Sequence, residues 1–101
     1  MDVFPLPSLE TAMMNHAGLV MDAFALDAAT LNGDFDEARF LAMAVASNAD
    51  VIGLRAVAQA AAHLAVALGP PGLPPGAGVG PCMAILAHAL DEADPRRCNH
   101  F

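Results

Sequence analysis

Apolar residues recur every three or four positions through most of this chain, the repeat expected of helices that bury one face. The first such run is Leu9, Met13, Ala17, Val20, Phe24, Ala28 and Leu31, with steps of four, four, three, four, four and three. It predicts a helix from about Ser8 to Leu31 with that stripe against the core, and Gly18 as the place for a kink or break. Pro5 and Pro7 favour extended backbone before it, so residues 1–7 are expected to form an extended N-terminus, and Ser8 is placed to cap the first free amides.

A second helix of about five turns is expected from Asp34 to Gly53. Asn32, Gly33 and Asp34 supply a turn with capping oxygens, and Asp34, Asp36 and Glu37 put negative charge where the helix dipole favours it. Gly53 can close the helix in the left-handed conformation. At about 100° per residue, Phe35, Ala38, Leu41, Ala42, Val45, Ala49 and Ile52 share one core stripe.

A third helix, Leu54 to about Leu68, turns Leu54, Val57, Ala58, Ala61, Leu64, Ala65 and Leu68 inward and Arg55, Gln59 and His63 outward. Gly69, Pro70 and Pro71 stop it, and residues 69–81, GPPGLPPGAGVGP, read as a linker inside the domain. A fourth helix takes Pro81 into its first turn and runs to about Asp94, with Cys82, Met83, Leu86, Ala89, Leu90 and Ala93 inside. Residues 95–101 form a tail, in which Arg96 and Arg97 suit the negative end of that helix. The whole, residues 1–101, is expected to be a single all-α domain, a four-helix antiparallel up-and-down bundle.

Composition narrows the function. The chain is 56% hydrophobic with no Trp or Tyr, and its formal net charge is −7 with four Arg and no Lys. Nucleic acids and anionic membranes call for a basic surface, so neither is an expected partner. Cys82 and Cys98 do not form a spaced framework, which fits reduced thiols in the cytoplasm, with Cys82 a small core residue. No basic and apolar leader and no unbroken apolar span is written, so neither export nor membrane insertion is expected.

Enzyme chemistry finds little support. No two histidines are spaced i, i+4, and Cys98 and His100 stand alone near the end, so no metal is expected. The glycines Gly76, Gly78 and Gly80 lack the Lys-Ser/Thr ending of a phosphate loop, Pro71 and Pro74 have no basic neighbour, and no cofactor is expected. His16, beside the first apolar stripe, is expected to be partly buried and hydrogen-bonded.

The outward face of the second helix is the exception to an otherwise ordinary pattern. Met43 lies about 140° from the centre of the core stripe, with Phe40, Ala44, Ser47 and Val51 beside it and Arg39 and Asp50 at its edge. An uncharged outward strip of Phe, Met and Val asks for a partner.

The run GDFDEARFLAMAVASNADVIG, Gly33 to Gly53, resembles the histidine-containing phosphotransfer (HPt) domain of bacterial phosphorelays. That family shows a Gly-Asp turn, a helix with Ala-His-x-Leu-Lys-Gly, a small residue soon after, and a Gly closing the helix. Gly33-Asp34, Ala42, Val45, Ala49 and Gly53 fall in that register, whereas Met43 stands at the phospho-accepting His, Ala46 at the Lys and Ser47 at the Gly. The resemblance implies an HPt-like bundle that has kept the scaffold and lost the chemistry, a pseudo-HPt.

Its implied role is that of a non-catalytic regulator of two-component signalling. The implied partner is the receiver domain of a response regulator or a sensor histidine kinase, bound through Arg39, Phe40, Met43, Ala44, Ala46, Ser47, Asp50 and Val51. One alternative is an active phosphotransfer protein using His63 or His88. His88 sits in an Ala-His-x-Leu run, with Asp91 and Glu92 at the Lys and Gly positions. Another is a structural bundle that forms a homodimer through the same apolar face.

Overall fold

The first two helices begin and end where a local signal stands in the sequence. The computed structural model describes residues 8–99, and these fold as four α-helices and a short 3-10 turn with no strand. The expected extended segment 1–7 and the Cys98-x-His100 pair lie outside the described residues or side chains. α1 spans Leu9–Leu31, α2 Phe35–Val51, α3 Arg55–Leu68 and α4 Val79–Glu92, followed by the 3-10 turn Pro95–Asn99.

Ser8 caps α1, its hydroxyl oxygen accepting from the amide of Thr11 at 3.1 Å, and Asp34 caps α2 by accepting from Glu37 at 3.3 Å. α1 and α2 end in the same way. Gly33 has φ +76°, with Asp34 N–H bonded to Ala29 C=O at 2.8 Å and Gly33 N–H to Thr30 C=O at 3.1 Å. Gly53 has φ +83°, with Leu54 N–H on Ala49 C=O at 2.8 Å and Gly53 N–H on Asp50 C=O at 3.1 Å. This pair of hydrogen bonds around a left-handed residue satisfies the last carbonyls of a helix, and glycine adopts that conformation without a Cβ clash.

The core lies inside the bundle, where α2 packs on α1 and α3, and α4 packs on α3 and less closely on α1. Ala38, Ala42, Val45 and Ala49 of α2 are fully buried, as are Ala61, Leu64 and Leu68 of α3 and Leu26 of α1. So many alanines let the helix axes approach closely while leaving most of the apolar burial to a few Leu and Val side chains. Phe35 and Leu41 are half-buried as part of the expected stripe, but Ile52, at the end of α2, is 38% exposed. The inward faces of α3 and α4 follow the expectation, with Ala60 and Val79 joining them.

Two expectations need correction. The linker expected over 69–81 is shorter, because α4 already starts at Val79; Pro81 is third in the helix, within its first turn as expected, where its missing N–H is one of the orphan donors. α1 runs unbroken through Gly18, and it is rotated from its expected setting. The buried residues of α1 are His16, Leu19, Leu26 and Ala29, whereas Leu9, Ala17, Phe24, Ala28 and Leu31 of the expected stripe are exposed. Both sets repeat at helical period, and the set containing Leu19 and Leu26 is the one turned into the core, where α1 packs on α2 and, less closely, on α4.

The bundle is flattened, 49 × 34 × 17 Å, with a radius of gyration of 14.6 Å where about 13 Å is usual for a chain of this length. Its open seam is between α1 and α4. His16, in the N-terminal half of α1, meets Leu90 near the C-terminal end of α4, so the two helices run antiparallel and are pinned there. Farther along, from Val20 to Asp27 on α1 and Leu86 to Met83 on α4, they part around a groove of about 330 Å³.

Candidate functional site

Because Ala38, Ala42, Val45 and Ala49 fix one side of α2 in the core, the helical repeat obliges Phe40, Met43, Ser47 and Val51 to face away. Met43 is 63% exposed, Phe40 67% and Val51 84%; Ser47 and Asp50 are also exposed, and Ala44 and Ala46 are half-buried at the margins. The strip is covered by neither α1 nor the Pro-rich segment. Asp36 and Asp50 bound it with negative charge, and no cation projects from it.

Arg39, expected at the edge of this surface, is already engaged. Its side chain is 12% exposed, and its guanidinium donates to the carbonyls of Gly69 at 2.7 Å, Leu68 at 3.1 Å and Leu73 at 2.8 Å, and to Asp36 Oδ1 at 2.7 Å. Planar and carrying five donors, guanidinium can serve three carbonyls at once, closing the end of α3 and fixing the loop after it. Residues 69–78 are therefore anchored at Leu73 rather than free to swing, and Arg39 steadies the border of the Met43 strip.

The histidines part company. His16 is 8% exposed, and its Nε2 lies 2.7 Å from the carbonyl oxygen of Leu90; because a carbonyl only accepts, Nε2 carries the hydrogen. This agrees with the expected buried, bonded histidine. His63 and His88 are exposed, and His88 Nε2 stands 3.5 Å from Glu92 Oε1. Among the described residues no three His, Cys, Asp or Glu side chains are grouped to hold a metal ion, and no helix is long and apolar enough to cross a membrane.

The groove between α1 and α4 was not legible in the sequence, because it depends on the rotation of α1. Val20, Ala23, Phe24, Met83, Leu86 and Leu90 line its apolar part, with Asp27, Asp91, Asp94 and Arg96 at its rim. Burial pushes the Asp27 carboxyl above its usual range. Asp94 is held down to about 2 by hydrogen bonds from the Arg96 side chain and backbone. Arg97 reaches Asp91 of α4 at 2.8 Å, and Arg96 pairs with Asp94 just beyond the helix at 2.9 Å.

Chemically, the α2 surface is an apolar strip bordered by the Asp36 and Asp50 carboxylates. Met43 offers a flexible, polarizable thioether with no nucleophilic nitrogen, and its neighbours add apolar area without a general base. Compared with known proteins, the chain matches no family model, no curated protein and no solved structure.

Proposed function

We propose that this chain is a non-catalytic docking protein that acts through the outward face of α2, and that its partner is a response-regulator receiver domain or a sensor histidine kinase. The observation that carries the reading is the position of Met43: midway along a helix whose other face is fully buried, 63% exposed, between Phe40 and Val51. Most of that apolar surface meets water in the isolated chain, an arrangement that favours association.

The partner class rests on the resemblance of Gly33 to Gly53 to HPt domains. In support, Gly33 and Gly53 adopt the left-handed conformation that the turn and the helix end of that pattern require. A methionine at the acceptor position would occupy a receiver's phosphotransfer face, or a kinase, without passing phosphate on. Regulation is then by occupancy.

The test is binding of the purified chain to receiver and kinase domains from its own organism, wild type beside Met43→Asp. Micromolar or tighter binding that the substitution abolishes supports the proposal. Absence of binding to every such domain overturns the partner class.

A further inference from the structure

We propose that the groove between α1 and α4 binds a small apolar amine, with the hydrocarbon part on the groove floor and the ammonium group between the Asp27 carboxylate and the ring of Phe24. This site is separate from the α2 face and does not depend on the partner proposed there.

The floor selects an apolar ligand. Val20 and Ala23 of α1 and Leu86 and Leu90 of α4 form it. The volume, about 330 Å³, is roughly twice the ~150 Å³ that holds a benzene ring and falls within the ~300–1,000 Å³ usual for small-molecule sites. From Val20 to Asp27 the helix advances roughly 10 Å, so the floor suits a short hydrocarbon chain lying along it.

The rim selects the charge. Three carboxylates, Asp27, Asp91 and Asp94, line the groove with one guanidinium, that of Arg96. Two of the three are already compensated. Arg96 donates to both oxygens of Asp94, at 3.1 and 2.9 Å, and Arg97 donates to Asp91 at 2.8 Å. Asp27, toward the other end, is half-buried and pairs with no cation among the described residues, and burial alone raises its carboxyl. A bound ammonium would supply the missing counter-charge and offset that cost.

Phe24 stands one turn before Asp27 on the same wall and is 68% exposed. Its ring face attracts a cation, so aromatic and carboxylate act on one ammonium together. The same arrangement turns away an alkyl carboxylate or phosphate, which would meet Asp27 while Arg96 is occupied. A sugar would leave its hydroxyls unpaired on the floor.

Amide NMR titration of the full chain with hexylamine, hexanol and hexanoate tests the proposal, with circular dichroism to verify folding. Hexylamine should saturate shifts on α1 and α4 with a Kd of about 1 mM or tighter, hexanol should bind at least tenfold more weakly, and hexanoate should not bind. Asp27→Asn should weaken hexylamine at least tenfold and leave hexanol unchanged. Phe24→Leu, which keeps the wall apolar and removes the ring face, should weaken hexylamine about threefold with hexanol again unchanged. No saturation by hexylamine up to about 10 mM overturns the proposal. So do equal affinities for the three ligands, variants that bind hexylamine as the wild type does, or shifts that map to α2 instead.

Discussion

His16 and Leu90, 74 residues apart, are joined by a 2.7 Å hydrogen bond from the imidazole Nε2–H to the backbone carbonyl. Leu90 lies in the last turn of α4, where carbonyls have no amide partner within the helix. The bond therefore does two things: it satisfies an orphan acceptor, and it closes the end of a seam that is otherwise open.

Replacing His16 by Leu should cost about 1–3 kcal/mol, because it leaves that carbonyl buried and unpaired. Urea unfolding with helicity as the signal measures it. Hydrogen exchange should quicken most at the end of α4 and least in α2, whose core contacts do not pass through this bond.

Arg39→Met keeps an apolar stem and removes the donors to Leu68, Gly69 and Leu73. A loss of about 1–3 kcal/mol is expected, together with faster protease cleavage between residues 69 and 78. Arg39→Lys should recover little, since one ammonium cannot span three carbonyls in the plane the guanidinium uses.

Met43→Asp should leave stability within about 0.5 kcal/mol, because the side chain is exposed and no core contact depends on it. Unchanged unfolding combined with lost binding would separate recognition from folding. On the same reading, Met43→His with Ala46→Lys should gain acid-labile label from a phosphorylated receiver, while wild type should not.

Two aspartates should respond to acid with opposite sign. The folded-state pKa of Asp94 is lowered to about 2, so its contribution is present above the unfolded carboxylate value and is lost as pH falls toward 2. Asp27 is raised by burial, so folding is favoured below its unfolded value and disfavoured as pH rises through the folded one. Asp94→Asn should therefore lower stability at neutral pH and Asp27→Asn should hold or raise it, read from thermal melts between pH 3 and about 7.

Most of the fold was legible because its signals are local. Ser8, Gly33, Asp34, Gly53 and Gly69 act on residues within five positions of themselves, and each does in the structure what its chemistry suggests. The outward direction of Met43 was legible as well, since the core stripe of α2 is unambiguous.

The setting of α1 was not. That helix carries apolar residues on most of its circumference, so two stripes share the same period, and only packing in the bundle, chiefly on α2, decides between them. The stripe beginning Leu9, Met13, Ala17 is real, but much of it meets solvent. Arg39 was read as a surface residue for a related reason: its carbonyl partners lie about thirty positions away, in a loop whose path no helical repeat encodes.

The two glycine turns that bracket α2 bear on how such a protein could change over generations. With its start capped by the Asp34 side chain, its end closed by main-chain bonds around Gly53 and one side locked by alanines, the helix asks nothing of Phe40, Met43, Ser47 or Val51. Mutations at those four positions are nearly free of a folding penalty, so selection can rewrite the partner while inheriting the frame intact.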